Sequence, residues 1–504
     1  MLRFSPNPNL AHLIHWFEWE HDAFPKARAE DKPVMLFLSA FWCRYCQRMD
    51  EGALSDRENM ALLNAYFIAL RAEDAMRPDL DARYNLNGWP TVAFFTPAGE
   101  LLAACNFLAA EEFKTLLLDV YLAYQEGNAE SRMAQPVQAG ETLSNRPAAA
   151  TEEVMLTEIT DSIMAWADPI NGGYGRGQKF IHPGVNDFLL DRYEATKNSV
   201  YLDHVRLTLD RMRDGQIHDV DDGGYFRTTT GADWVQPHRE KLLVEQAGLL
   251  SNCLGVFRLT ERDEYAGMAE EIIAYLNGKL LDAKSGAFFG CEDFLRRETA
   301  GTSPDGGFFS IIDRCIYSDA NALAAAAYFE AGALLDRPDC KERGLNVLEF
   351  LCRLCRSVGE GFYHYYDGAP RLPGLLRDQA LAGAALLAAY HASGDAEYLE
   401  RARASGEFIL ARRKNSAGGF YDRETREHGF LKFPLTDLDQ NGAAAWFFLT
   451  LADATNDAKY REAARWALRA ARGASAAYDI HAARFGRALG EFLSPRHGSR
   501  YSSR

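Results

Sequence analysis

No run of apolar residues in this 504-residue chain is long enough to span a bilayer. The opening stretch "MLRFSPNPNLAHLIHW" lacks a basic region followed by a continuous apolar core, so no signal peptide is expected. Positive charge is in deficit. Fifty-five Lys and Arg against 71 Asp and Glu leave a net charge of −16, which argues against binding to nucleic acid or to an anionic membrane surface. A disulfide framework is missing too. The nine cysteines are odd in number and scattered, at 43, 46, 105, 253, 291, 315, 340, 352 and 355, which fits a reducing, cytoplasmic setting. A zinc site needs about four ligands, and no second C-x-x-C with suitable neighbours stands near the first. Cys352 and Cys355 share the spacing, but in "VLEFLCRLCRS" they fall inside a helical pattern and read as packing residues. No metal or other cofactor is expected.

What is present divides the chain in two. Hydrophobic residues at 47% and charged residues at 25% are ordinary for globular domains, and the length calls for more than one core. Residues 1–125 read as mixed α/β. "PVMLFLSA", "FIALRA", "TVAFFT" and "ELLAA" are short β-rich runs, while "AFPKARAE", "SDRENMALLNAY" and "AEEFKTLLLDVYLAY" have helical spacing. Residues 126–150 carry almost no large apolar side chains and read as a linker. From 151 to 496 helical patterns dominate, with residues 497–504 as a tail. A glycine turn followed by an aromatic recurs at "NGGYG", "DGGYF", "SGAFFG", "GEGFYHY" and "AGGFYD". Between these turns, helices apolar all round, such as "ANALAAAAYFEAGALL", alternate with charged amphipathic ones, such as "KYREAARWALRAA". About twelve helices in six hairpins, apolar ones inside, predict an all-α (α/α)6 toroid.

The most specific motif is "FWCRYCQRM". Cys43 and Cys46 follow a buried strand and begin a helix, whose N-terminus points free N–H groups and partial positive charge at the first sulfur. That placement favours the thiolate, with Cys43 as nucleophile and Cys46 as resolving thiol in exchange through a mixed disulfide. Arg44 adds positive charge beside it. In "NGWPTVAFF", Pro90 precedes a strand; in a thioredoxin-like fold this proline is cis and lies against the dithiol, so that Trp89 presents its backbone to the substrate.

Most of the chain resembles the spermatogenesis-associated-protein-like family, in which a thioredoxin-like domain is fused to a six-hairpin glycosidase-like barrel. The opening segment carries Trp16, Trp19, Ala23, Phe24, Ala27, Lys32 and Pro33 in matching places. "RPDLDARY", "GWPTVAFFTPAGEL", "GGYGRGQKF" and "DGGYFRTTTGADWVQPHREKLLVEQA" match further along, in the same order. Where the family usually has His and Trp between the cysteines and a His after them, this chain has Arg44, Tyr45 and Gln47. The resemblance implies the fold and domain order, with a barrel like those of N-acylglucosamine epimerases and six-hairpin glycosidases.

In such a barrel the polar residues leading into inner helices are the candidates for ligand binding. Asp222, His238, Glu240 and Lys241 stand out, because "PHREK" carries more polar groups than a helix cap requires. Asp319, Asp378 and Asp437 sit just before or at the start of apolar helices and read first as caps. The expected function is thiol–disulfide exchange with protein thiols or disulfides, beside a barrel that binds a sugar-like small molecule or a partner. Two alternatives are a sugar epimerase or glycoside hydrolase with an inert thioredoxin-like domain, and a non-enzymatic scaffold.

Overall fold

Val34–Ser39 is buried at every position, and the reason is two-sided cover by helices. The computed structural model describes residues 2–19, 23–127, 151–296, 308–357, 359–424, 431, 433–473 and 478–495. From residue 128 onward the expected linker lies outside the described residues, as does the 497–504 tail. The chain divides into two units: Met1–Glu141 with Arg423–Pro434, and Thr142–Asp422 with Leu435–Arg504.

The first unit runs β1 (Trp16–Phe17), α1 (Ala23–Glu30), β2 (Val34–Ser39), α2 (Arg44–Glu51), α3 (Arg57–Tyr66), β3 (Ile68–Glu73), α4 (Pro78–Tyr84), β4 (Thr91–Phe95), β5 (Leu101–Cys105) and α5 (Ala110–Gln125). The sheet order is β1-β3-β2-β4-β5. β2 pairs parallel with β3, Val34 opposite Ile68, and antiparallel with β4, Met35 opposite Phe94. Strand periodicity of two sends Met35, Phe37, Val92 and Phe94 to one face, under α2, α3 and α5. Val34, Leu36, Leu38, Ala93 and Phe95 go to the other, under α1 and α4. Leu431, from this unit's second segment, joins that second cluster. The strand runs of the sequence all form. The short helix α4 comes from "RPDLDARY", where Pro78 occupies the first turn, a position that needs no N–H donor.

The second unit contains α6 (Glu152–Trp166), α7 (Pro183–Thr196), α8 (Ser199–Asp214), α9 (Leu243–Thr260), α10 (Asp263–Tyr275), α11 (Ser318–Leu334), α12 (Pro338–Leu354), α13 (Leu376–Ser393), α14 (Ala396–Arg412), α15 (Leu438–Thr455), α16 (Ala458–Leu468) and α17 (Ala483–Leu493). α7, α9, α11, α13, α15 and α17 each pack on the next, and α17 closes the ring on α7. α8, α10, α12, α14 and α16 back the inner helices that precede them, and α6 backs α17. This is the six-hairpin toroid. The inner helices are apolar all round because each touches two neighbours and an outer partner.

A repeated device locks the hairpins. In α9, α11, α13 and α15 an amide near the helix start accepts the backbone N–H, and donates to the C=O, of the aromatic after a glycine turn. The pairs are Gln246 with Tyr225, Asn321 with Phe288, Gln379 with Phe362 and Asn441 with Phe420, at 2.6–3.0 Å. All four amides are fully buried, so the paired hydrogen bonds also remove the cost of burying bare backbone groups. The glycine is required where the turn meets the next hairpin. Gly224 has φ +74, and a Cβ there would sit 2.8 Å from the Tyr275 ring.

Candidate functional site: a helix-capping disulfide and an axial cavity

In the first unit, Cys43 ends the loop after β2 in extended backbone and caps α2, its Sγ accepting the Cys46 N–H at 3.1 Å. The two cysteines form a disulfide and are only 5% and 3% exposed. The Trp89–Pro90 peptide is cis. Trp42, just before Cys43, meets the Trp89 ring edge-on at 5.2 Å, which brings the proline loop against the dithiol loop. That loop is held from behind. The Asn106 amide donates to the carbonyls of Gly88 and Pro90 at 3.1 and 3.0 Å, and the Trp89 indole donates to Asp81 Oδ1 at 3.0 Å. Burial raises the Asp81 carboxyl above its ordinary range, against the lowering effect of the Asn85 and Trp89 hydrogen bonds.

Two features give this end of the unit its chemistry. Tyr45, between the two cysteines, and Phe107 are exposed, with rings 5.4 Å apart, and form an apolar rim. Arg44, the first residue of α2, donates to Gln47, and Arg48 of the last turn lies over the Tyr45 ring. One turn further on, Asp50 anchors the helix to the sheet. It takes two 2.8 Å bonds from Arg71 on β3 and one from the Ser5 N–H. The Arg71 guanidinium is packed over the rings of Phe4, Trp16 and Phe37.

In the second unit, a cavity of about 1260 Å³ runs along the barrel axis and is lined by all six inner helices. The four barrel residues expected to bind ligand do not line it. His238 is exposed on a short strand paired with Thr228. Asp222 is exposed and bound to Lys279 at 2.7 Å. Glu240 is buried against Arg227 at 2.8 Å. Lys241 is fully buried, held by Asp219 at 2.6 Å and the Gly223 carbonyl at 2.7 Å beneath the Tyr275 and Phe226 rings. Burial pulls the Lys241 ammonium below its ordinary range, and the nearby Asp219 and Glu292 carboxylates oppose that. The side chains of Asp222, Glu240 and Lys241, with the backbone of His238, tie strands and turns together around α9.

The acids at the starts of inner helices do different things. Asp437 caps α15, accepting the Gln440 N–H at 2.8 Å, as expected. Asp319 and Asp378 lie inside the first turn rather than at the cap position, although Asp319 Oδ1 still accepts the Ala320 N–H at 2.8 Å. Asp378 holds His364 Nδ1 at 3.0 Å, and Asp319 takes a 2.8 Å bond from Arg377, which also reaches Asp439. The ligating atoms of Asp319, His364 and Asp378 lie within 4.8 Å of one another. A guanidinium already on Asp319 makes this set fit a cation poorly, and it reads as a buried polar network.

Two carboxyls with an unpartnered oxygen line the cavity, and of these Glu330 was missed by sequence reading of the loops. Glu245, in the first turn of α9, has an Oε2 buried without a partner, and burial pushes its carboxyl up to about 8. Glu330, deep in α11, is 5% exposed with Oε1 likewise unpartnered, and burial with the charges of Asp187 and Glu194 pushes it up to about 7. The signal was available: Glu330 is the lone charge inside "ANALAAAAYFEAGALL".

Residues 7–139 match a thioredoxin family of the DsbH type, described as "Protein of unknown function, DUF255". An uncharacterized protein of Caenorhabditis elegans is 25% identical over 81% of this chain and 63% of its own length. Spermatogenesis-associated protein 20 of Mus musculus is 25% identical over 62% of this chain and 42% of its own. The chain therefore spans less than two thirds of the length of these relatives. The thiol:disulfide interchange protein DsbD 1 of Pseudomonas aeruginosa is 39% identical over 82 residues, 16% of this chain and 14% of that one. Among solved structures, a sugar epimerase from a ruminal bacterium superposes with a TM-score of 0.54 at 13% identity, over 68% of this chain and 99% of that one. A D-mannose isomerase gives 0.54 at 14% identity, over 69% and 99%. At these identities the likeness concerns fold. The chain resembles the spermatogenesis-associated-protein-like proteins, with a thioredoxin-like domain joined to a six-hairpin, glycosidase-like barrel.

Proposed function

We propose that this protein is a thiol–disulfide oxidoreductase acting through Cys43 and Cys46, with a barrel that binds a carbohydrate-like ligand. The observation that carries the first half is the capping geometry: Cys43 Sγ sits at the N-terminus of α2 and accepts the Cys46 N–H. In the reduced protein the same N–H and the helix terminus stabilise a thiolate there. The Cys43 thiolate attacks one sulfur of a client disulfide, forming a mixed disulfide and expelling the client's other sulfur as a thiolate. Cys46 then gives up its proton and attacks Cys43 Sγ, so the client leaves with both thiols reduced and Cys43–Cys46 is oxidised. An external dithiol restores the reduced pair by the same exchange. Tyr45, Phe107 and the Trp89–Pro90 backbone suit a client chain, and the similarity to a thiol:disulfide interchange protein over 82 residues supports this chemistry.

The barrel half rests on the axial cavity, whose mixed lining of carboxyls, arginines, Trp446 and small apolar residues suits a polyhydroxylated molecule. Asp222, His238, Glu240 and Lys241 keep the role of shaping the loops around α9 in this reading. No disulfide other than Cys43–Cys46 is formed among the described residues, which supports a reducing, cytoplasmic location. With a net charge of −16, nucleic acid and anionic membrane are not among the proposed partners. No helix among the described residues is long and apolar enough to cross a membrane.

A Cys46→Ser variant tests the central reading. Without the resolving thiol, Cys43 should hold clients as mixed disulfides that a reductant releases on a non-reducing gel. Absence of any trapped species, with no loss of disulfide reductase activity relative to wild type, rejects the proposal.

A further inference from the structure

The lower half of the barrel cavity has an imbalance of charge. Asp187 and Asp191 on α7 both bind Arg487 of α17, at 2.9 and 2.7 Å, and Glu194 on α7 binds Arg258 of α9 at 2.6 Å. Arg487 is also stacked on Trp446, with 4.2 Å between guanidinium and ring centre. Both guanidinium groups are thus committed to carboxylates on α7. Glu330 of α11 faces the same space, 5% exposed, and no described residue donates to its Oε1. A buried carboxyl oxygen without a donor is costly to keep and uncommon in folded proteins. Ala326, Ala333 and Leu334 flank it on the same helix and also line the cavity, whose wall elsewhere includes Ser251 and the aromatic Trp446 and Phe257. Carboxylates outnumber guanidiniums along the whole cavity.

We infer that Glu330 is the anchor for the ammonium group of a small amine ligand bound in the barrel cavity. An ammonium supplies both things the pocket lacks: hydrogen-bond donors for Oε1 and a positive charge to balance Glu330 against Asp187, Asp191 and Glu194. The aromatic surfaces of Trp446 and Phe257 suit the face of a sugar ring or a methylene chain, and aromatic faces also attract an ammonium directly. Two kinds of molecule carry this chemistry, an amino sugar and an aliphatic polyamine. Burial, with the nearby Asp187 and Glu194 carboxylates, pushes the empty Glu330 up to about 7, although the Arg258 and Arg487 guanidiniums, both paired with α7 carboxylates, oppose the rise. The inference rests on reading the cavity as a ligand site, and it adds the charge and the contact residue.

Calorimetric titration of the full chain at pH 7.5 with D-glucosamine, N-acetyl-D-glucosamine, D-glucose and spermidine tests it. At least one amine should bind tenfold or more tightly than the neutral sugars, and Glu330→Gln should weaken that amine at least tenfold while leaving the melting profile cooperative. Glucosamine binding in a Glu330-dependent way supports the amino sugar. Spermidine alone doing so keeps the ammonium anchor and removes the carbohydrate reading of the barrel. N-acetyl-D-glucosamine binding as tightly as glucosamine, with spermidine silent, overturns the ammonium anchor while leaving the barrel as a sugar site, and needs no variant. Failure of both amines to bind overturns it outright, as does unchanged amine affinity in Glu330→Gln. Ala326→Phe, one turn along the same helix, should crowd the space beside Glu330 and weaken amine binding at least tenfold without changing the carboxyl; unchanged affinity there counts against the anchor.

Discussion

Replacing Glu330 by Gln should stabilise the ligand-free barrel above neutral pH and leave it nearly unchanged in acid. The carboxyl is 5% exposed and held at about 7 against an ordinary 4.5, chiefly by burial, with Asp187 and Glu194 on α7 raising it and Arg258 on α9 and Arg487 on α17 opposing. The folded protein therefore keeps this proton at pH values where the unfolded chain has released it. Stability is fully present below about pH 4.5, falls as the pH rises toward 7, and stays lower beyond. At about 1.4 kcal/mol per pH unit, a gap of roughly two units corresponds to about 3 kcal/mol. A neutral, near-isosteric Gln carries no such penalty. Urea denaturation followed by helical circular dichroism, at pH 5 and pH 8, measures the difference between variant and wild type. The expected gain at pH 8 is about 3 kcal/mol, shrinking to under about 1 at pH 5. A variant less stable at pH 8, or a gain equal at both values, refutes the picture of an unpartnered carboxyl.

Other perturbations have comparably definite outcomes. Asp50→Ala strands the Arg71 guanidinium among three aromatic rings, and should cost the thioredoxin-like unit about 3–5 kcal/mol in denaturant midpoint analysis; a loss below about 1 contradicts the anchoring role. Asn321→Leu removes the clamp on both backbone groups of Phe288 and should destabilise the barrel by about 2–4 kcal/mol, with no effect on alkylation of Cys43. Lys241→Met should leave sugar and amine titrations unchanged while lowering stability, since Lys241 is buried in an ion-pair network away from the cavity lining; loss of binding with an intact melt returns Lys241 to the binding site.

Much of this architecture could be read from residue pattern, and the exceptions have physical causes. The buried runs "PVMLFLSA" and "TVAFFT" identify β2 and β4 because they are short, β-rich and apolar at successive positions, as a sheet covered on both faces requires. Alternation of apolar and charged helices gives the toroid for the same reason. The segments "YSDANAL", "LRDQALA" and "TDLDQNGA" drew attention to Asp319, Asp378 and Asp437, yet the residues that lock each hairpin are Asn321, Gln379 and Asn441. Their partners are backbone groups 17–33 positions earlier, which no local pattern announces. His238 and Glu240 stood out by polarity, but short strands draw them into Thr228 and Arg227 instead of the cavity. Glu330 hid in the opposite way, as one acid in an apolar helix, where only the closing of the ring reveals that it faces open space.

The central claim is that the start of α2 charges Cys43. Brief alkylation of the fully reduced protein with iodoacetamide at pH 7, with each cysteine quantified by mass spectrometry, addresses it directly. Cys43 should be modified roughly tenfold faster than Cys46 and than free cysteine, whose thiol is only a few per cent ionised at that pH. A Cys43 that reacts no faster than free cysteine contradicts the account.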